Sequence, residues 1–217
     1  MNFLNSPGPN PRIVRMFLFE KRISIPFEEI DILGGQNRQN SYLELNPAGQ
    51  LPSLILDNGK CISETVAICE YLEEIYPDVS LIGTTAIERA VNRMWLRRVE
   101  QNITENLYNS FRYSLGLELF RDRVHCIPEA AQGLAEIVQE KLVWLDRLMH
   151  RKIYVCGDKF TLADIVLFCA LDFGEGVGQQ IDNSLININA WFSRMYTRDS
   201  AYGSLHPDGA ATGRQGV

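Results

Sequence analysis

One short segment places polar side chains at the start of a predicted helix, where an anionic ligand can bind. Ser63-Glu64-Thr65 ends an apolar run and precedes apolar residues at helical spacing, so Thr65 lies in a first helical turn. The exposed N–H groups and the positive dipole end of such a turn favour a carboxylate. A structural alternative is that Ser63 caps the helix and Glu64 merely suits its first turn.

A second candidate site surrounds the proline-rich loop at residues 6–11, which contains three prolines. Proline fits neither a strand ladder nor a helix interior, so we expect a loop followed by a helix that ends near Lys21. The amide of Asn10 can donate a hydrogen bond to an anionic ligand. Alternatively, Asn10 only caps the helix, with Pro11 in the first turn. Ser6 is the other polar side chain of this loop.

Two further motifs concern the backbone. Leu51-Pro52 precedes a predicted strand at 54–56, a position where an X-Pro bond can be cis. Asn58-Gly59 predicts the turn of a hairpin that returns along 60–63.

Thr161-Leu162-Ala163-Asp164 is a capping box, so we interpret Asp164 as a folding element rather than as a catalytic acid.

The elements that position these residues change in type along the chain. Up to residue 77 the pattern predicts the order β-α-β, a turn, and then β-β-α, whereas later segments show only helical spacing of apolar residues. We therefore predict an α+β domain at 1–77, a linker at 78–84, and an all-α domain at 85–217.

Composition and charge exclude several classes of protein. The 217 residues include 21 Lys and Arg against 27 Asp and Glu, a net charge of −6 that argues against nucleic acid or an anionic membrane as a partner. The five cysteines form no C-x-x-C pair, which predicts free thiols in a reducing compartment. The N-terminus lacks the pattern of a signal peptide, and the longest apolar run, Ile165–Leu171, is too short to span a bilayer. We expect a cytoplasmic location.

Other catalytic signatures are missing from the sequence. It contains no G-x-G-x-x-G, no Walker-type glycine loop, no H-E-x-x-H and no G-x-S-x-G. The three histidines, at positions 125, 150 and 206, do not have the spacing of metal ligands, so we expect no metal.

Four separated segments together resemble the cytosolic glutathione transferases over essentially the whole chain. They are NSPGPNPRIVR at 5–15, NPAGQLPSL at 46–54, SETVAICEYL at 63–72 and FTLADIVL at 160–167. The resemblance implies a thioredoxin-like N-terminal domain that holds glutathione and an all-α C-terminal domain that forms the second-substrate pocket. It also implies a homodimer, a small hydrophobic electrophile as second substrate and a role in detoxification.

The same resemblance assigns residues to the glutathione site. It implies a cis Pro52, with the Leu51 backbone pairing with the cysteinyl part of glutathione. Thr65 would bind the γ-glutamyl carboxylate and Glu64 the amine. Further candidates are Gln50 for an amide contact, Arg38 or Gln39 for the glycine carboxylate, and Arg12, which would either raise the local positive potential or face solvent. The second-substrate pocket would include Tyr108, Phe111, Arg112 and Tyr113.

The resemblance leaves more than one candidate for the residue that activates the thiol. Glutathione reacts as its thiolate, and members of the family supply a Tyr, Ser, Cys or Asn near the first helix. The first tyrosine here is Tyr42 and no cysteine precedes Cys61, which leaves Asn10 and Ser6. We favour Asn10, because it aligns with the position where bacterial members carry Cys or Asn.

The predicted reaction is attack of the thiolate on an electrophilic substrate. One alternative is glutathione-dependent reduction of disulfides or peroxides, or aryl-ether cleavage, on the same fold. The other is a non-catalytic binding protein of the same fold.

Overall fold

A computed structural model describes residues 1–208, which form two compact units. The first unit comprises Met1–Leu81 together with the described residues from Asp199 onward, and the second comprises Ile82–Arg198. The first boundary lies close to the predicted linker. The C-terminal boundary differs from the prediction, because residues after Asp199 pack on the first helix of the chain. The part of the predicted 85–217 domain from residue 209 onward lies outside the described residues.

The first unit is built on a four-stranded mixed sheet with the order β2-β1-β3-β4. β1 pairs with β2 in parallel and with β3 in antiparallel fashion, and β3 and β4 form the antiparallel hairpin. The strands are β1 (Asn2–Asn5), β2 (Phe27–Glu29), β3 (Ser53–Ile55) and β4 (Cys61–Ser63), and the helices are α1 (Pro9–Lys21), α2 (Asn40–Leu43) and α3 (Thr65–Ile75).

The core of this unit combines the apolar faces of the sheet and its helices. Phe3 and Leu54 of the paired strands are almost completely buried, as are Phe17 of α1 and Leu72 of α3. The predicted hairpin is confirmed: Gly59 has a φ of 80°, and the Asn58 carboxamide oxygen accepts the Lys60 N–H at 3.0 Å. An asparagine that accepts a backbone N–H two residues later stabilises a tight turn.

The prediction of a loop up to residue 11 is wrong, because α1 begins at Pro9. Pro9 and Pro11 occupy the first turn, where N–H groups lack intrahelical partners, so the missing N–H of proline costs nothing there. Gly8 precedes the helix with a φ of 124°, a conformation that side chains rarely adopt.

The second unit is all helical, and its most buried element is α8, in which every residue from Leu162 to Gly174 is buried. Helix α5 packs on α7, and α4 packs on α8. The helices are α4 (Ala86–Val99), a π-helical turn (Glu100–Thr104), α5 (Glu105–Tyr113), α6 (Leu117–Phe120), α7 (Ala131–Leu148), α8 (Leu162–Gly176) and α9 (Ile186–Tyr196). A short helix α10 (Asp199–Gly203) belongs to the first unit.

Asp164 holds the start of α8, as its interpretation as a folding element predicts. Its carboxylate accepts the N–H groups of Val155 at 2.8 Å and Thr161 at 2.9 Å, and the indole N–H of Trp191 at 2.9 Å. The Thr161 hydroxyl lies 3.1 Å from the same carboxylate. Burial raises the pKa of Asp164 to about 6, so the group is mainly ionised at neutral pH and offers only acceptors to these donors.

None of the five cysteines forms a disulfide. Cys69 and Cys169 are buried, whereas Cys61, Cys126 and Cys156 are half-buried. Across residues 1–208 no His, Cys, Asp and Glu side chains cluster in a way that could hold a metal ion. In the same part of the chain no helix is both long and apolar enough to cross a membrane.

Candidate active site

The strand register brings the three candidate segments to one edge of the sheet. Leu4 of β1 lies opposite Ser53 of β3, and Ser53 lies opposite Ser63 of β4. The end of β1, the start of β3 and the end of β4 therefore share an edge. Because α1 follows β1 and α3 follows β4, both helices begin at this edge. Two helix N-termini thus converge beside the loop that precedes β3, which favours negative charge there.

The Leu51-Pro52 segment presents an unpaired backbone at this edge. The Leu51–Pro52 peptide bond is cis. The Leu51 side chain is buried in a cluster with Leu4, Ile30 and Tyr42. Its own N–H and C=O form no hydrogen bond to other described residues. A backbone held in place but unpaired can receive an extended ligand as an added strand.

Three polar side chains fix the loop that carries Leu51. The Tyr42 hydroxyl donates to the Gln50 carbonyl at 2.6 Å, and the Asn46 amide donates to the same carbonyl at 2.9 Å. The Asn37 amide donates to the Gly49 carbonyl at 2.6 Å. Burial raises the pKa of Tyr42, so its phenol remains a donor. Sequence reasoning missed these residues; the only signal was Asn46, which opens the NPAGQLPSL motif.

Replacing Tyr42 with phenylalanine should loosen this loop. The change removes the 2.6 Å bond to Gln50 and a 3.1 Å contact with the buried Ser53 hydroxyl. We expect the free energy of unfolding to fall by about 1 kcal/mol, the net value of one such bond, and the affinity for a ligand that pairs with the Leu51 backbone to fall. Urea denaturation and ligand titration measure the two effects. Tyr76→Phe, at a more exposed tyrosine, is the matched control; equal effects in both variants would contradict this role.

The start of α3 has an unusual backbone conformation. Glu64 is the N-cap residue, with φ 71° and ψ 120°, and no side chain caps the helix. The alternative that Ser63 caps α3 is therefore wrong. Positive φ at a residue other than glycine costs about 1–3 kcal/mol and is concentrated at functional sites. Glu64 is exposed and Thr65 half-buried, and the Thr65 hydroxyl has no hydrogen-bond partner among the described residues.

At the start of α1, the two candidates for thiol activation, Asn10 and Ser6, have different surroundings. Asn10 is the second residue of α1, Gly8 is the N-cap, and no side chain caps the helix. The alternative that Asn10 acts as the cap is therefore wrong. The Asn10 side chain is half-buried and donates to no other residue within 1–208. Ser6 is completely buried, and its hydroxyl donates to the Pro7 carbonyl at 3.1 Å. The geometry favours Asn10.

Arg12 does not face solvent, one of its two predicted roles, because the residue is 1% exposed. Its guanidinium donates to the Ala201 carbonyl at 2.9 Å and to the Ser204 hydroxyl at 3.3 Å. These partners lie about 190 positions further along the chain, so the sequence alone could not reveal them.

The candidates for the glycine carboxylate lie beside the Gln50–Leu51 loop. Arg38 is half-buried, and its guanidinium lies 3.5 Å from the Ala48 carbonyl. It packs so closely on Gly49 that a Cβ there would lie 2.8 Å from Nη1. Gln39 and Gln50 are exposed. The Arg38 guanidinium is therefore held against the same loop that carries Leu51.

The predicted second-substrate residues lie on α5 within the second unit. The Phe173 ring centroid lies 5.8 Å from Tyr108 and 5.0 Å from Phe111, in edge-to-face geometry. Phe111 also contacts Phe120. We call these four residues the α5 aromatic cluster. The sequence indicated Tyr108 and Phe111 but not Phe120 or Phe173, which lie on other helices.

Two polar groups accompany the α5 aromatic cluster. The Tyr108 hydroxyl is buried without a hydrogen-bond partner among the described residues, and burial raises its pKa. Arg112 stacks over Phe120 at 5.6 Å and donates to Asn109 at 2.9 Å. Burial lowers the pKa of Arg112. Tyr113, the last predicted member, is half-buried at the end of α5.

Comparison with known proteins identifies the class to which this fold and site belong. The family model of the glutathione S-transferase N-terminal domain matches residues 5–80, and that of the C-terminal domain matches residues 126–199. Glutathione S-transferase 2 of Saccharomyces cerevisiae is 30% identical over 200 residues, which cover 89% of this chain and 84% of the yeast protein. Maleylacetoacetate isomerase of Pseudomonas aeruginosa is 33% identical over 149 residues, which cover 69% of this chain and 68% of the isomerase.

A solved structure has the same fold over most of the chain. A glutathione S-transferase domain-containing protein of Marinobacter aquaeolei superimposes with a TM-score of 0.86 at 31% identity, over 92% of this chain and 99% of that one. The chain therefore belongs to the glutathione transferase family and is an enzyme of that class. The predicted fold, a thioredoxin-like α+β domain followed by an all-α domain, is confirmed.

Proposed function

We propose that this enzyme binds glutathione at the shared edge of the sheet, stabilises its thiolate near Asn10, and promotes attack of that thiolate on an electrophilic carbon. The observation that carries the proposal is the Leu51 backbone, which lies next to the Gln50 carbonyl held by Tyr42 and forms no hydrogen bond to other described residues. It lies at the edge where α1 and α3 both begin.

The polar groups of glutathione match the groups available at this edge. The peptide backbone of the cysteinyl residue pairs with Leu51 as an added strand. The γ-glutamyl carboxylate receives the first-turn N–H groups of α3 and the Thr65 hydroxyl, while the exposed Glu64 carboxylate meets the ammonium. The glycine carboxylate lies toward Arg38, with Gln39 and Gln50 as amide partners. Each charge of the ligand then meets a group of opposite sign or a donor.

Thiol activation follows from the start of α1. The side-chain amide and the backbone N–H of Asn10 donate to the sulfur, which stabilises the thiolate relative to the thiol. Pro9 and Pro11 have no N–H, and the Arg12 N–H bonds to the Gly8 carbonyl at 3.2 Å. The sulfur lone pair forms a bond to the electrophilic carbon, and the displaced group leaves with its bonding electrons. The proton lost from the thiol goes to solvent or buffer.

The second substrate is assigned to the α5 aromatic cluster with Tyr113 and Arg112. Aromatic rings bury large apolar area, and a guanidinium near them favours a substrate with a polarised or anionic group. This assignment predicts a hydrophobic electrophile.

Thr65→Ala should weaken glutathione binding about 5–30-fold, because it removes a hydroxyl donor to a charged group that contributes about 1–2 kcal/mol. Thr65→Ser keeps the hydroxyl and should bind nearly as well as the native protein. Isothermal titration calorimetry with glutathione compares the three proteins. Equal affinity in all three would place the γ-glutamyl site elsewhere, and a lower melting temperature with unchanged affinity would make Thr65 structural.

A second candidate reaction is glutathione-dependent isomerisation of an unsaturated dicarbonyl acid, supported by the similarity to the Pseudomonas isomerase. Aryl-halide conjugation, cis–trans isomerisation and disulfide reduction, assayed with the same preparation, distinguish transferase, isomerase and reductase chemistry. Retention on glutathione-agarose without turnover in any of them would support the non-catalytic alternative.

The family resemblance also supports a homodimer, a cytoplasmic location and a role in detoxification as parts of this proposal. Sedimentation equilibrium measures the dimer directly, and fractionation of cells that produce the protein measures its location.

A further inference from the structure

The C-terminal segment, residues 199–208, is tied to the first helix by two arginines. Arg12 donates to the Ala201 carbonyl at 2.9 Å and to the Ser204 hydroxyl at 3.3 Å. Arg15, one turn further along α1, donates to the Ser204 carbonyl at 2.8 Å. Ser204 is completely buried. These bonds place the C-terminal segment along α1.

The Arg15 guanidinium also reaches the loop that leads to Asn10. Its Nη1 atom donates to the Asn5 carboxamide oxygen at 2.6 Å and to the Ser6 carbonyl at 3.0 Å. Asn5, the last residue of β1, and Ser6, the first residue of the loop, are buried at 3% and 0% exposure. A proline-rich loop has few N–H groups with which to hold itself. Its side-chain and carbonyl bonds to Arg15 therefore carry much of the restraint on its position.

A second connection joins the same loop to the far end of the C-terminal segment. The Asn5 amide donates to Glu29 of β2, and Glu29 lies 3.1 Å from the buried His206 ring. His206 in turn accepts the N–H of Asp208 at 3.2 Å. Asn5 is thus held from two sides, by Arg15 and by Glu29, and both partners contact the C-terminal segment.

We propose that Arg15 is a positioning residue for thiol activation, and that the C-terminal segment holds its guanidinium in place. The planar guanidinium reaches its three acceptors through two nitrogen atoms, Nε and Nη1, that point in fixed directions, whereas a lysine ammonium presents all its donors from a single nitrogen. Displacement of the loop moves the start of α1, and with it Asn10, relative to the sulfur. Misplacement by about 1 Å can cost 10²-fold in rate. This inference rests on the proposed function.

Two independent changes test the proposal. Arg15→Lys keeps the charge and removes the bridge. Gly203→Ala leaves Arg15 unchanged and disturbs the packing of the C-terminal segment on α1, because its Cβ would lie 2.2 Å from the Phe19 ring. The double variant Gly203→Ala/Phe19→Ala removes that clash. Arg22→Lys, at an exposed arginine just after α1, is the matched control.

The primary readout is the pKa of the bound glutathione thiol, titrated by thiolate absorbance. We expect Arg15→Lys and Gly203→Ala to raise it by about one unit, with glutathione affinity changed less than about threefold. The double variant and Arg22→Lys should titrate like the native protein. A merely structural role would lower the melting temperature without moving this pKa, and that result would overturn the proposal. A shift in Arg15→Lys alone would overturn the part played by the C-terminal segment.

Hydrogen exchange of the amides of Ser6, Gly8 and Asn10 separates this inference from the proposed function. Faster exchange in Arg15→Lys and Gly203→Ala, reversed in the double variant, supports the restraint of the loop by Arg15 and the C-terminal segment whether or not the protein binds glutathione. Unchanged exchange in both variants overturns it. Should Arg15→Lys fail to fold, the Gly203 pair decides the question alone.

Discussion

Replacing Asp164 with alanine should lower the free energy of unfolding by about 3–5 kcal/mol, the cost typical of removing one partner of a buried charged network. The change leaves the N–H groups of Val155 and Thr161 and the indole N–H of Trp191 without an acceptor. Each buried donor left unsatisfied costs about 1–3 kcal/mol. The loss acts on α8, the most buried helix of the second unit.

Asp164→Asn tests whether both carboxylate oxygens of Asp164 are needed as acceptors. Asp164→Asn keeps one carboxamide oxygen for Val155 and Trp191 but places an NH2 group against the donors of Thr161. We therefore expect a smaller loss than for alanine. Urea denaturation monitored by tryptophan fluorescence gives both values. Asp158→Ala, at an exposed position six residues earlier, should stay within about 0.5 kcal/mol of the native protein. A loss no larger than that in Asp164→Ala would contradict a stabilising role for Asp164.

Replacing Asn10 should have the largest effect on the chemistry. Asn10 lies in the first turn of α1 without capping it, so Asn10→Ala should change stability little. If its amide donates to an anionic sulfur, the lost bond corresponds to about 1.5–3 kcal/mol. The pKa of the bound thiol should then rise by roughly one to two units. Little unassisted thiol is ionised at about pH 6.5, so each unit lowers the thiolate fraction about tenfold. Turnover at this pH should therefore fall by roughly 10- to 100-fold.

Asn10→Asp and Ser6→Ala complete this test. An aspartate at position 10 repels a thiolate, so the thiol pKa should rise further than in Asn10→Ala. Ser6→Ala alters only a buried hydroxyl that is bonded to its own loop, and it should leave the thiol pKa unchanged. An unshifted titration in both Asn10 variants would move the assignment to Ser6 or to the helix N–H groups alone.

The sequence was sufficient for features that depend on neighbouring residues. The hairpin at Asn58-Gly59 and the capping box at Asp164 follow from local chemistry, and each is present where the pattern predicts it. The four motifs in order were enough to indicate the fold. Helix α2 (Asn40–Leu43) was missed because its four residues are too few to show a periodic apolar stripe.

The contacts that the sequence did not reveal are those between distant segments. Arg12 was expected near glutathione or in solvent, whereas its partners are Ala201 and Ser204. Tyr42 was noted only as too late in the chain to activate the thiol, whereas its hydroxyl holds the Gln50 carbonyl. In both cases the residue type is informative but the partner depends on tertiary packing, which one sequence does not fix.

The most direct test of the account is a thiolate titration of glutathione bound to the native protein. Thiolate absorbance is followed against pH at saturating protein, with free glutathione as the reference. The account predicts that the bound thiol titrates at least about one unit below the ~8.5 typical of an unperturbed thiol. A bound thiol that titrates like free glutathione, or the absence of glutathione binding, would contradict it.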